Sequence, residues 1–292
     1  MQPLSPTERL IKAYVDLGNT LYRQGDFAQS LSYFQQALDA APDLGAFQKA
    51  RLLYNIGVSY LNLGERDRAI GYFQQALELY PDLAPARAEL QRIEYDDHVQ
   101  AKGYEFTQDW FGRNVWLWRE QLQALMGKEN LNALEIGSWE GRSACWLLEN
   151  VLTHPTARLT CVDTFTGSSE NLSLDHDTDG IEARFDANIA RTGAAEKVTK
   201  RVGLSKDVVR SLPLDSFDFI YVDGSHHAPD VMTDGLLGWL VLKPGGILIF
   251  DDYDFGLKGY GTKEAIDAFL ATFQGQLERL HQSHQVVVRK KA

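Results

Sequence analysis

The hexapeptide YFQQAL occurs twice, at residues 33–38 and 72–77, an offset of 39. The same offset links Gly18 to Gly57, Gly25 to Gly64, Phe34 to Phe73, Ala37 to Ala76 and Pro42 to Pro81. A fixed period of this size marks a stacked repeat, in which each unit buries its apolar face only against a neighbour. The spacing within each unit fits two antiparallel helices. Gly18, Gly57, Ala37 and Ala76 allow close helix contact, Tyr22, Tyr60, Phe34 and Phe73 fill the gaps, and a proline ends the pair.

This pattern resembles the tetratricopeptide repeat over roughly residues 10–82. The family period is about 34 residues, so the segment LGAFQKA is expected to lengthen the linker or the first helix of the second unit. Two repeats fall short of the three or so that usually bury a continuous core, and APARAELQRIEYDDH is expected to add a capping helix. The resemblance implies a concave face for a peptide or protein partner. Self-association, or packing against the rest of the chain, is the equal alternative. The first domain is placed at residues 1–98.

From about residue 104 the pattern changes. NALEI, RLTCV, KVTKRV, FDFIYV and GILIFD are short, largely apolar runs that alternate with helical stretches. That order predicts a parallel α/β sheet with buried strands. LERLHQSHQVVVRK reads as two strands joined by a polar turn, a terminal antiparallel hairpin. The second domain is placed at residues 99–292. A net charge of −11 argues against a nucleic-acid role carried by a broad basic surface. No apolar run approaches membrane-spanning length, and MQPLSPTERL lacks a signal-peptide pattern, so a cytoplasmic protein is expected. Cys145 and Cys161 form no metal-binding spacing and read as reduced, buried thiols.

Two features of this sheet point to ligands. In LEIGSWEGRS, Gly137 and Gly141 lie between a strand and a helix, where backbone can approach a ligand at the helix N-terminus. Asp163 ends the next strand, 22 residues past Gly141, where an acid can grip ribose hydroxyls. In addition, the strand FDFIYV ends on Asp223 and GILIF ends on Asp251 and Asp252. Carboxylates at buried strand ends are costly unless something positive binds there. Three hard oxygen donors at two adjacent strand ends suit Mg²⁺.

The stretches ALEIGSWEGRSACWLL, CVDTFTG, RVGLSKDVVRSL, FDFIYVDGSHHAPDV and VLKPGGILIFDDYD resemble the class I S-adenosylmethionine-dependent methyltransferases over roughly residues 105–292. YVDGSH…DDY, the most specific piece, resembles the branch of metal-dependent O-methyltransferases that includes macrocin-type sugar enzymes. The resemblance implies a Rossmann-like seven-stranded sheet with a terminal antiparallel hairpin, preceded here by the all-α repeats. It implies cofactor contacts at Glu135, Gly137, Gly141, Ser143 and Asp163, with Ser205 bordering the adenine, and a divalent ion held by Asp223, Asp251 and Asp252. Such an ion would lower the pKa of an acceptor hydroxyl and orient it toward the sulfonium methyl.

His226 and His227 follow Asp223 closely. His226 is favoured as general base because DGSH keeps it near the strand end, with Asp223 itself as the competing base. In DHDTDGIEARFD, Asp175, Asp177, Asp179, Gly180 and Asp186 have the spacing of a calcium loop. Asp186 is short for the last position and Glu182 replaces an apolar residue, so a solvated acidic lid is the preferred reading. The tryptophans around Trp110 and Trp116 are expected mainly to pack helices. The expected function is methylation of a small-molecule hydroxyl, on a sugar or natural-product scaffold. The alternatives are a protein or peptide acceptor recruited by the repeats, or a catalytically idle cofactor-binding scaffold. A nicotinamide-dependent reductase is disfavoured by the missing third glycine and by the lack of any tyrosine with a lysine four residues later.

Overall fold

A computed structural model describes residues 5–40, 44–167, 177–256 and 259–292. The chain divides into two compact units, residues 1–98 with 112–116, and residues 99–111 with 117–292.

The first unit is helical. Its helices are α1 (Pro6–Arg23), α2 (Phe27–Asp39), α3 (Ala46–Asn62), α4 (Arg66–Leu79) and α5 (Ala84–Lys102), whose last turn passes into the second unit. Ser5 caps α1 reciprocally with Glu8, and Asp26 caps α2 by accepting from the Gln29 N–H. The duplicated residues do the same work twice. A Cβ on Gly18 would lie 2.6 Å from the Phe34 ring, and one on Gly57 would lie 2.7 Å from the Phe73 ring. Each aromatic ring therefore packs directly on the backbone of the preceding helix. Phe34, Phe73, Ala37 and Ala76 are all buried, and Leu83, Ala86 and Ile93 at the start of α5 and within it join the same apolar core.

In the second unit, seven strands form one sheet in the order β3-β2-β1-β4-β5-β7-β6. They are β1 (Asn132–Ile136), β2 (Arg158–Asp163), β3 (Val198–Val202), β4 (Phe217–Val222), β5 (Leu242–Phe250), β6 (Leu277–Gln282) and β7 (Val286–Lys290). β1 to β5 run parallel, β7 pairs antiparallel with β5, and β6 pairs antiparallel with β7. The Rossmann-like sheet and the terminal hairpin are both as the sequence predicts. Parity along the strands sorts the two faces. Leu134, Ile136, Ile220, Val222, Leu248 and Phe250 share one core with Val231 and Trp239 of α9 (Ala228–Val241) and Ile266 and Phe269 of α10 (Thr262–Thr272). Phe219 and Tyr221 instead meet Trp118, at ring distances of 5.6 and 4.7 Å.

The tryptophan-rich segment is less helical than its spacing suggests. A 3₁₀ turn (Gly112–Asn114) precedes the short helix α6 (Val115–Gln121). Helix α7 (Arg142–Asn150) follows the glycine turn. The end of the acidic stretch is helix α8 (Ile181–Thr192), not a loop, and its Glu182 and Asp186 bind Lys200 at 2.8 and 2.7 Å. This pairing employs the carboxylate that the calcium reading needs at its last position, while Asp175 of that reading lies outside the described residues.

Candidate functional site

The strand order reverses between β1 and β4, so their carboxyl ends diverge into the crevice where open α/β sheets bind ligands. The chain closes tightly there. Gly137 has φ +85°, and a Cβ on it would lie 1.9 Å from the Asp223 carbonyl oxygen. The first turn and the end of β4 therefore touch backbone to backbone, which only glycine permits. Gly141, with φ +81°, starts α7, and its N–H donates to the Ser138 carbonyl at 2.7 Å.

Asp163 ends β2 as expected, and it organises this turn. One carboxylate oxygen accepts from the N–H groups of Ser138 and Trp139, at 2.7 and 2.9 Å. The other accepts from the Phe165 N–H at 2.7 Å. Trp139 and Phe165 themselves have positive φ, +46° and +54°, conformations that persist only where surroundings fix them. Glu135 and Ser143 are both buried and face each other, the Ser143 hydroxyl donating at 2.6 Å, so they bind α7 to β1. Burial pushes the Glu135 carboxyl up to about 7, against the lowering effect of its hydrogen bonds, led by the one from Ser143. Ser205 opens the single helical turn Ser205–Val208 after β3, beside Asp234 of α9. Burial raises that carboxyl to about 6, with the Ser205 hydroxyl acting in the opposite direction.

The other acids gather at the ends of β4 and β5. Val222 pairs with Phe250, so the next residues, Asp223 and Asp251, leave the sheet side by side. Tyr221 lies two residues before Asp223, on the same face of β4. Its buried hydroxyl joins Asp223, at 2.9 Å, to Asp251. One hydroxyl proton cannot serve two carboxylates, so charge balance favours a proton on one of them. Burial first, then the charges of Asp251 and Asp252, raise the Asp223 carboxyl well above the carboxylate range. Asp252 turns away from this pair through a left-handed backbone, φ +52°.

There it meets two histidines. His226 Nε2 is 2.8 Å from one Asp252 oxygen, and the ring stacks on Phe255 at 4.1 Å. His284, in the turn between β6 and β7, places Nε2 3.1 Å from the other Asp252 oxygen and 3.3 Å from Asp251. Burial alone would raise Asp252, but the hydrogen bonds from His226 and His284 hold it well below the usual range. Burial likewise opposes a charge on His284, and Asp251 and Asp252 nevertheless hold its imidazole up at about 10. The His227 ring lies tilted against Tyr260, with centroids 4.6 Å apart.

Among the described residues, donor atoms within 4.8 Å of one another form two trios, Asp223–His226–Asp252 and Asp251–Asp252–His284. Asp252 is shared and each trio contains a histidine. Three crowded carboxylates at two neighbouring strand ends, flanked by imidazoles, are a donor set that fits a divalent cation. Tyr221 and His284 are absent from the sequence reading. The first was accessible through the i, i+2 parity of β4, whereas the second depends on how the hairpin returns to β5.

Two families match this chain. Residues 134–253 match the family described as a methyltransferase domain, and residues 9–82 match the tetratricopeptide repeat. Residues 134–253 therefore read as a methyltransferase domain. The repeats precede this domain. An uncharacterized protein, R132, of Acanthamoeba polyphaga mimivirus is 26% identical over 167 residues, 54% of this chain and 71% of that protein. Among solved structures, the O-methyltransferase TomG of Streptomyces achromogenes, in complex with S-adenosylmethionine, is 14% identical (TM-score 0.48), the match covering 69% of this chain and 90% of that one. The O-methyltransferase of Bacillus cereus, bound to S-adenosylhomocysteine, is 16% identical over the same shares (TM-score 0.47).

Proposed function

We propose that this protein is an O-methyltransferase that uses S-adenosylmethionine and a divalent cation, expected to be Mg²⁺, to methylate a hydroxyl of a small molecule such as a sugar or natural-product scaffold. The observation that carries this reading is the gathering of Asp223, Asp251, Asp252 and His226 at two adjacent strand ends, one residue across from the glycine turn.

Each group has a role under this reading. Gly137 and Gly141 let the cofactor approach the backbone, and Asp163 fixes their turn. Glu135 and Ser143 anchor α7, and Ser205 borders the adenine. Asp223, Asp251 and Asp252 hold the cation, which when bound would lower the pKa of the acceptor hydroxyl. With Nε2 of His226 donating to Asp252, the proton from the acceptor falls to the other ring nitrogen, and the Phe255 stack keeps the ring in place. Holding acceptor and methyl donor in line supplies much of the remaining rate. The domain limits 1–98 and 99–292 complete the proposal, with the repeats as a docking module for a protein or a second copy. The repeats also favour a second reading, in which the acceptor is a peptide they recruit.

Calorimetric titration of S-adenosylhomocysteine with and without Mg²⁺, followed by methyl-transfer assays on vicinal diols and peptides, tests the proposal. Binding of both ligands with turnover of a diol supports it. No cofactor binding to the wild-type protein would sink it, turnover of peptides alone would select the second reading, and binding without any turnover would favour an idle scaffold.

A further inference from the structure

The terminal hairpin brings a side chain to this centre that three strand-end aspartates do not require. His284 aims Nε2 at Asp251 and Asp252, at 3.3 and 3.1 Å, while Nδ1 faces the Asp254 carboxylate. A metal-ligating histidine almost always gives its other ring nitrogen to a carboxylate or carbonyl, which fixes the tautomer and orients the ring. His284 has that arrangement. Without a cation the ring can meet these carboxylates as an imidazolium; a cation among the three would instead take the Nε2 lone pair of the Nδ1–H tautomer, whose proton Asp254 is placed to hold.

The turn that carries His284 is held firmly. Gln285 is fully buried and accepts from the Trp118 indole N–H at 2.9 Å. The His284 carbonyl accepts from the Tyr253 N–H at 2.8 Å, and the Ser283 N–H donates to the Gln285 carbonyl at 2.9 Å. A buried glutamine in a hairpin turn is an unusual expense for a loop that only joins two strands. Here its bonds fix the residue preceding it against β5.

We infer that His284 is a nitrogen ligand of the cation, completing an Asp251–Asp252–His284 set, and that this centre binds a first-row transition ion in preference to Mg²⁺. The inference rests on the cation site proposed above and alters its metal. Imidazole suits ions such as Co²⁺, Fe²⁺ or Zn²⁺, whereas Mg²⁺ takes carboxylates, carbonyls and water. His226 remains available as the base under this assignment, because the set does not include it.

The test uses the full chain with Co²⁺ and Mg²⁺ as probes, in wild type, His284→Gln and Asp254→Asn. Wild type is expected to bind Co²⁺ at least about 10-fold more tightly than Mg²⁺. His284→Gln should lose about 10- to 100-fold in Co²⁺ affinity with little change for Mg²⁺, and Asp254→Asn should shift Co²⁺ the same way by less. Pulsed electron paramagnetic resonance of the Mn²⁺-loaded wild type should show coupling to an imidazole nitrogen that needs no variant to fold. Equal losses for both ions, no loss for either, or a nitrogen coupling absent from wild type would make His284 a counter-charge and overturn the inference. Failure of wild type to bind any of these ions would refute the cation site itself, whereas S-adenosylhomocysteine binding reports separately on the methyl-donor half of the proposal.

Discussion

The two sides of the crevice treat their acids in opposite ways. At the ends of β1 and β2, Asp163 accepts three backbone N–H groups and Glu135 accepts from Ser143, so the chain itself satisfies each carboxylate. At the ends of β4 and β5, Asp223 and Asp251 share one tyrosine hydroxyl, burial and the neighbouring acids oppose a charge on Asp223, and Asp252 faces two histidines. The first arrangement builds a rigid turn. The second builds demand for positive charge. A carboxylate at a strand end is therefore no single signal: its donors decide whether it organises the chain or waits for a ligand.

The two sides meet at Gly137, and substitution there should have the largest effect. The missing space, 1.9 Å from a backbone oxygen, cannot be recovered by moving a side chain, and the positive φ adds strain. Gly137→Ala is expected to cost on the order of 4 kcal/mol in denaturant unfolding and to abolish S-adenosylhomocysteine binding. A stable variant with normal binding would show that the backbones of β1 and β4 separate readily, and the comparison would lose its geometric basis.

Next comes a pair of substitutions with opposite expected signs. Asp163→Ala strips three N–H groups of their acceptor and should destabilise by roughly 2–4 kcal/mol. Asp223→Asn removes a carboxyl whose ionisation burial and two neighbours already oppose. Its stability without metal, at pH 8, should hold or rise by about 1 kcal/mol, while Mg²⁺ or Co²⁺ affinity falls at least about 10-fold. A large loss of stability in Asp223→Asn would place that residue among the organisers, with Asp163.

How far the sequence revealed this contrast depends on distance along the chain. The strands, their parallel order, the hairpin and the positions of Asp163, Asp223, Asp251 and Asp252 were legible, because apolar runs ending on acid are local patterns. The helix pairs were legible from the 39-residue offset, since Phe34 and Phe73 repeat the same contact with Gly18 and Gly57. The donors were not. That the Ser138 and Trp139 N–H groups turn toward Asp163 depends on a left-handed residue at 139, and nothing about a tryptophan announces positive φ. His284 reaches Asp252 only because β7 pairs with β5 in one register, which places the turn over the acids. The acidic stretch shows the same limit: its calcium-loop spacing, already disfavoured by Asp186 and Glu182, is local, whereas the partner that Glu182 and Asp186 face is Lys200 on β3.

The smallest expected effect lies within the satisfied side and tests how its satisfaction works. Glu135 has a folded-state pKa of about 7, above its ordinary 4.5. The folded protein therefore holds that proton more tightly than the unfolded chain does, and stability falls as pH rises through 4.5 to 7. The Ser143 hydrogen bond counters this by favouring the ionised form. Ser143→Ala should thus cost about 1 kcal/mol at pH 8, where Glu135 is charged, and clearly less at pH 5, where it is protonated. Denaturant unfolding at the two pH values reads the difference. Equal losses at both would mean that Ser143 merely fills space between β1 and α7, and that burial of Glu135, rather than its donor, sets the character of this side of the crevice.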